Sequence, residues 1–325
     1  NQGVNPGWVM NNEGGVMFGP DKAERIRNLG AGRLRVEFRR PLSEWDSGTL
    51  DAYQAMIGVA RVNNLQVLGL VDYETWKVTN DDSRLWNANS WEQTGGDGMN
   101  DYTREFVDKG VMPIVEVLGD QLEMLQVWNE PNGKAEEQKS FLQPSVYARM
   151  LSEVRSKVRP SLPILTGGIL DYDHEYLHAL HNAGKLKSGW RMEIPYDQWG
   201  AHLYIDRDGV TDEASLYSHV GGVRQALNLH YGGAEKKIWI SEMGWESGET
   251  YEGREKQAEN LKQAYMFMKQ YESFLGIGPV FWYQTDDYSQ VDGETGGEIK
   301  VTYGLADSSG VAKPAAEAYR RYASF

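Results

Sequence analysis

Short apolar runs alternate with longer stretches in which apolar residues fall at helical spacing. The runs are Leu34 to Phe38, Leu65 to Val71, Met124 to Trp128, Ile164 to Leu170, Trp199 to Tyr204, Lys237 to Ser241 and Pro279 to Tyr283, with Trp8-Val9-Met10 as a shorter first one. Each has the length of a buried strand. Between them, Ala23, Ile26 and Leu29 follow Pro20, and Leu50, Tyr53, Ile57 and Ala60 follow Ser47, a capping residue. Tyr147, Met150, Val154 and Val158 mark a helix from about Ser145, and His174 to Ala183 another. Leu216, Val220, Val223 and Leu227 mark the next, then Ala258, Leu261, Tyr265 and Met268, and Pro314 opens the last. Tyr102 to Leu118 reads as helix, broken at Gly110 and restarted with Pro113 in its first turn, because parallel strands need a crossover between them. Eight strands with helices between them predict one (β/α)8 barrel domain over residues 1–325. An open doubly wound sheet is the alternative.

The pattern ends most abruptly at Leu125-Gln126-Val127-Trp128-Asn129-Glu130-Pro131-Asn132. Pro131 cannot donate to a ladder, so the strand stops at Glu130, at the carboxyl end where α/β proteins place their chemistry. Glu242, in Ser241-Glu242-Met243-Gly244-Trp245, closes the seventh strand and faces the same rim. Two carboxylates across a rim are what glycosidic cleavage requires, one protonated to assist the leaving oxygen and one ionised to attack the anomeric carbon. On the second strand Arg35 and Glu37 share one face and Leu34, Val36 and Phe38 the other. Charge pointing into a filled barrel needs a reason.

Composition narrows the partners. The 325 residues carry a net charge of −14, which argues against nucleic acid or an anionic membrane and is easier to reconcile with a neutral ligand. The chain has no Cys, so disulfides and thiolate zinc sites are excluded. No apolar run approaches the length of a membrane span. Asn1 in place of Met leads us to expect a processed, secreted protein, an excised fragment being the other reading. A monomer is the default.

Trp-Asn-Glu-Pro-Asn followed by Ile-Ser-Glu-Met-Gly-Trp resembles the retaining glycoside hydrolases of clan A, most of all the family-39 type. The likeness extends to Leu34-Arg35, His202-Leu203-Tyr204, Trp282 and Gly304-Leu305-Ala306-Asp307 with Lys313-Pro314. It implies Glu130 as acid/base, Glu242 as nucleophile, and no cofactor or metal. It further implies that Asn129 binds the sugar 2-hydroxyl, that Arg35 keeps Glu242 ionised, that Tyr204 hydrogen-bonds Glu242 and that His202 lies beside the pocket. Trp282 would floor the sugar site, with a cis peptide after it. Glu37 departs from the family's pattern and would neutralise Arg35 or Arg39.

A sugar has an apolar face and a polar rim, so aromatic planes beside Asn, His and Arg suit it. Trp245 joins the substrate-binding set on that ground. Trp76, Trp86 and Trp91 punctuate the long polar stretch Asp72 to Asp97 and are candidates for sugar stacking, whereas Trp190 and Trp239 read as core. That stretch suggests an extended cleft and endo-action on a β-linked polysaccharide; an exo-acting β-glycosidase is the alternative. Two other classes remain. His174-Glu175-Tyr176-Leu177-His178 matches the zinc-peptidase HExxH pattern, but flanking Asp171 and Asp173 suit an outer, solvated helix better. A barrel that binds glycans without cleaving them is disfavoured by the presence of both carboxylates. Asp206-Arg207-Asp208-Gly209 and Gly30-Ala31-Gly32 lack the spacing of calcium and dinucleotide loops and read as turns, and Asp286 to Glu298 as a solvated excursion over the rim.

Overall fold

The structure, a computed structural model, describes residues 2–10, 15–40, 45–76, 101–133, 140–187, 190, 194–205, 209–291 and 297–324. Among these residues eight parallel strands close a barrel in chain order: β1 (Gly3–Val4), β2 (Arg33–Glu37), β3 (Gln66–Val71), β4 (Met124–Asn129), β5 (Ile164–Leu170), β6 (Trp199–Leu203), β7 (Ile238–Met243) and β8 (Ile277–Trp282). β1 pairs with both β2 and β8, so no edge is left open. The helices between strands are α1 (Pro20–Asn28), α2 (Ser47–Val62), α3 (Asp101–Glu105), α4 (Met112–Leu118), α5 (Pro144–Lys157), α6 (His174–Lys187), α7 (Glu213–Asn228), α8 (Tyr251–Leu275) and α9 (Pro314–Tyr322). The (β/α)8 expectation holds.

Local expectations differ at four places. The first strand is Gly3–Val4 rather than Trp8 to Met10; Pro6 and Gly7, whose φ is 73°, turn the chain over the rim, and Met10 makes only an isolated bridge to Val16. The cap of α2 is Asp46, whose carboxylate accepts the Thr49 N–H at 2.7 Å, one residue before Ser47. The chain does not break at Gly110 but passes from α3 to α4 through a π-helical stretch, Phe106–Val111, with Pro113 in the first turn of α4 as expected. The acidic segment after β8 is anchored at its base, while the described residues 289–291 and 297–300 are exposed, as expected of a solvated excursion. Arg25 and Lys22 bind Asp286, the buried Lys313 ammonium binds Asp287 at 2.8 Å, and β9 (Tyr288–Val291) pairs antiparallel with β10 (Glu298–Val301).

The barrel interior is layered. Leu68, Met124, Leu165, Trp239 and Phe281 pack as an apolar plug. Above it lies a polar layer, in which Gln126 Nε2 donates to Ser241 Oγ at 2.9 Å. Strict alternation from Met124 and Gln126 would turn residue 128 inward. Trp128 instead adopts φ 75° and turns its ring outward, 5.1 Å from Phe106 and 6.2 Å from Tyr102 between centroids. The β4–β5 ladder skips there, from Val127 opposite Thr166 to Asn129 opposite Gly168. Tyr147 of α5 fills the gap: its hydroxyl donates to the Val127 carbonyl at 2.8 Å and accepts the Gly167 N–H at 2.5 Å. Tyr147→Phe would leave two buried backbone groups without partners, and is expected to lower stability by about 1–3 kcal/mol, read as a shift in the urea midpoint.

Candidate active site

Both glutamates of interest owe their aim to a fault in regular strand geometry. Trp239 and Ser241 face the interior, so alternation alone would turn Glu242 outward. The β6–β7 register shifts between Ala201, opposite Ile240, and His202, opposite Glu242, leaving Ser241 as an extra residue that turns Glu242 in. At the end of β4, Trp128 (φ 75°) and Glu130 (φ 47°) both occupy the left-handed region, which costs a non-glycine residue about 1–3 kcal/mol. The strain brings Asn129 inward and lifts Glu130 over the rim.

Arg35 holds the floor together. Its Nε donates to Gln126 Oε1 at 2.6 Å, Nη1 to Glu242 Oε1 at 2.5 Å and Nη2 to Asn129 Oδ1 at 2.7 Å. The other oxygen of Glu242 accepts the Tyr204 hydroxyl at 2.5 Å. His202 Nδ1 lies 2.8 Å from Glu130 Oε1 and 3.6 Å from Glu242 Oε2. One ligand atom each of Glu130, His202 and Glu242 lies within 4.8 Å of the others. These three could approach a cation together, but the Arg35 guanidinium already neutralises Glu242.

Burial pushes the Glu242 carboxyl up, yet the charges on His202 and Arg35 and the hydrogen bonds from Tyr204 and Arg35 outweigh it and hold the group below its ordinary 4.5. Its contribution to folding is therefore complete above pH 4.5 and is lost as pH falls through the lower folded value. Burial and the neighbouring Glu242 charge push Tyr204 well above 10, so it stays a hydrogen-bond donor.

A pocket of about 190 Å³ opens beside Glu242, lined by Arg35, Glu37, Asn129 and Tyr283 and walled by Asn5 and Trp8. Arg35, Asn129, His202, Tyr204, Glu130 and Glu242 thus come together as the motifs implied. The tryptophans do not. Trp282 is fully buried, donates to the Tyr303 carbonyl and packs against Trp245 at 6.0 Å. Phe281 points into the barrel plug, so alternation sends Trp282 outward and Tyr283 inward; Tyr283 is the aromatic on the pocket, and the cis bond joins it to Gln284. Trp245 is buried, with its indole N–H on the Ile205 carbonyl. Trp76 is buried with the Arg40 guanidinium 4.2 Å from its ring centre. None of the three presents a face to a sugar. Trp86 and Trp91 lie outside the described residues. Trp190 and Trp239 are core, as expected.

Sequence reasoning missed Tyr283, Trp8, Asn5 and Gln126. Counting inward positions from Phe281 finds Tyr283, and a lone Gln at an inward position of an apolar strand marks Gln126. Trp8 is half exposed beside Gly7, with Arg39 4.9 Å from its ring centre. Glu37 lies 3.6 Å from Arg39, which also binds Glu74 at 3.1 Å, so it neutralises Arg39 as one of the two expected options. The HExxH helix is α6, on the outside of the barrel. His178 Nδ1 meets His230 Nε2 at 2.7 Å, and among the described residues neither His174 nor His178 belongs to a group of three atoms close enough to share an ion.

No protein-family profile matches the chain, and no curated protein matches it. Solved structures do. GH5_18 from Streptomyces cattleya, in complex with GlcNAc, is 16% identical with a TM-score of 0.66, over 99% of this chain and 79% of that one. The exo-beta-1,4-mannosidase Op5Man5 from Opitutaceae bacterium strain TAV5 is 16% identical with a TM-score of 0.62, over 94% of this chain and 54% of that one. Native xylanase 10B from Thermotoga maritima is 16% identical with a TM-score of 0.59, over 98% of this chain and 93% of that one. At such identity the shared feature is the barrel fold.

The electrostatics predict a titration. Arg35→Gln and Tyr204→Phe each remove a group that favours ionised Glu242, so the carboxyl-carbon NMR titration of Glu242 should move to higher pH in both. An unchanged or lower midpoint would contradict the account.

Proposed function

We propose that the protein is a retaining glycoside hydrolase acting on β-linked poly- or oligosaccharides by double displacement. The observation that carries the reading is the separation of Glu130 and Glu242: one oxygen of each lies within 4.8 Å of the other. Retaining enzymes set their carboxyl groups about 5–5.5 Å apart, while inverting enzymes leave about 6.5–9.5 Å for a water. The family-39 likeness of the two motifs agrees with this assignment, and so do barrels of the same fold whose names include a mannosidase and a xylanase.

In the first step Glu242, held ionised by Arg35 and Tyr204, attacks the anomeric carbon while Glu130 protonates the departing oxygen. The glycosyl ester on Glu242 is then opened by water, with Glu130 taking the water's proton. Asn129 gives its side-chain oxygen to Arg35, which leaves its amide NH2 to meet the sugar 2-hydroxyl. His202 hydrogen-bonds Glu130 through Nδ1 and orients it, with Glu242 Oε2 3.6 Å from the same atom. The glycone then occupies the pocket on the β1, β2 and β8 side, and the leaving group lies toward Glu130. Endo-action is favoured by a second cavity of about 190 Å³, which shares Gly7, Trp8 and Gln284 with the first and continues past Met17 and Tyr288, giving room for the chain beyond the cleaved residue.

Glu242→Ala should abolish turnover of aryl β-glycosides, with azide restoring it and yielding the inverted glycosyl azide. Glu130→Ala should slow natural substrates by about 10²–10⁴-fold while sparing glycosides with good leaving groups. Equal losses on both substrate kinds would remove Glu130 from the acid role. Chromatography of products from β-glucans, xylan, mannan and galactan separates the modes of action: oligosaccharides released early mark endo-cleavage, and monosaccharide alone would exclude it.

A further inference from the structure

Two residues of the glycone pocket have no part in the two displacement steps, and the distribution of charge around them is a third feature. Glu37 at the end of β2 lines it, with its side chain 30% exposed. Asn5 lines it too, only 5% exposed, and its amide nitrogen is buried without a hydrogen-bond partner. Buried donors in native proteins are almost always satisfied, so such a nitrogen on a pocket wall marks a place for a ligand acceptor. The third feature is charge. Arg35 is the single cation among the described lining residues, and Gln126, Glu242 and Asn129 take up its Nε and both its terminal nitrogens. Arg39, which is not a lining residue, is shared between Glu37 and Glu74.

We propose that Glu37 and Asn5 form a hydroxyl-reading wall, an acceptor and a donor side by side, which selects a neutral glycone over a uronate. A sugar hydroxyl is both donor and acceptor, so it can satisfy a carboxylate and an amide at once. A carboxylate in the same place offers acceptors only. It would face Glu37 and Glu242 with no free cation on the wall, and like charges in a partly desolvated pocket exclude it. Burial raises the Glu37 carboxyl against the pull of Arg39. Asp72, which hydrogen-bonds it, is pushed well above its usual range by burial and by the charges on Glu37 and Glu74. This selectivity rests on the glycosidase reading above and names the substrate class for the same site.

The test compares nitrophenyl β-glucoside, β-mannoside, β-galactoside and β-xyloside with nitrophenyl β-glucuronide. For the native protein, kcat/KM on the best neutral glycoside should exceed that on the glucuronide by at least about 100-fold, and Glu37→Gln should narrow that ratio by at least about 10-fold, the size of one charge-assisted hydrogen bond. Glu74→Gln removes the other acid on Arg39 without touching the pocket, and should leave the ratio within about 2-fold. A glucuronide cleaved as well as the neutral sugars, a ratio unmoved by Glu37→Gln, or one moved equally by Glu74→Gln would overturn the proposal. If neither these glycosides nor β-glucans, xylan, mannan and galactan are cleaved, the hydrolase reading fails on its own. Calorimetric titration with cellobiose, mannobiose and xylobiose then decides the wall. Binding to the native protein that weakens about 10-fold or more in Glu37→Gln supports it, and equal or absent binding overturns it.

Discussion

The site depends on one guanidinium inside a barrel. Arg35 is 5% exposed, and a charge so far from water is tolerable only with its donors satisfied. Three side chains on two strands meet that demand: Gln126 and Asn129 from β4 and Glu242 from β7, each at 2.5–2.7 Å. The demand runs both ways. The buried carboxylate of Glu242 needs a cation, and Asn129 needs a partner to fix which end of its amide faces the ligand. Because Arg35 meets all of them in one plane, removing it would disturb the charge on Glu242, the orientation of Asn129 and the polar layer through Gln126 together.

Around that centre the barrel departs from regularity where regularity would misdirect a side chain. The left-handed turn at Trp128 and the extra residue at Ser241 lie at the ends of two strands, and each reverses the inward–outward parity just before a glutamate. The fault in β4 does not stand unsupported. Trp128 meets the stacked rings of Tyr102 and Phe106 edge-on, where apolar packing offsets backbone strain, and the Tyr147 hydroxyl restores the hydrogen bonds that the β4–β5 skip removes. Gly167 has room for no Cβ, with the Trp128 carbonyl oxygen 2.9 Å from where one would sit. Packing outside the barrel thus sets geometry inside it.

The pocket is polar for its size, and its far wall differs from its reacting end. Beside Glu242 the groups are locked to one another. At Asn5 and Glu37 they retain unused capacity, and the half-exposed Trp8 gives an apolar edge between two cavities. A surface that combines an aromatic edge, a free donor and a carboxylate acceptor suits a polyhydroxylated ring, and the net charge of −14 sets the surrounding field against anions.

Much of this was legible in the residues alone. The alternation of apolar runs and helical stripes defined the barrel, because strand and helix periodicity are local properties of the chain. The abrupt end of Leu125 to Asn129 at Glu130-Pro131 marked one carboxylate, and the short motif around Glu242 marked the other, since strand ends can be read from Pro and polar residues without knowing their neighbours. Arg35 was legible as a charge on the wrong face. What sequence could not decide was which way side chains point beyond a bulge or in a loop. Trp245, beyond the extra residue in β7, and Trp76, in the turn after β3, passed for sugar platforms although the fold buries them, and Trp8 and Asn5 went unnoticed. Those assignments belong to tertiary structure because a bulge is settled by what packs behind it, Phe106 and Tyr147 for β4, and such partners lie far away along the chain.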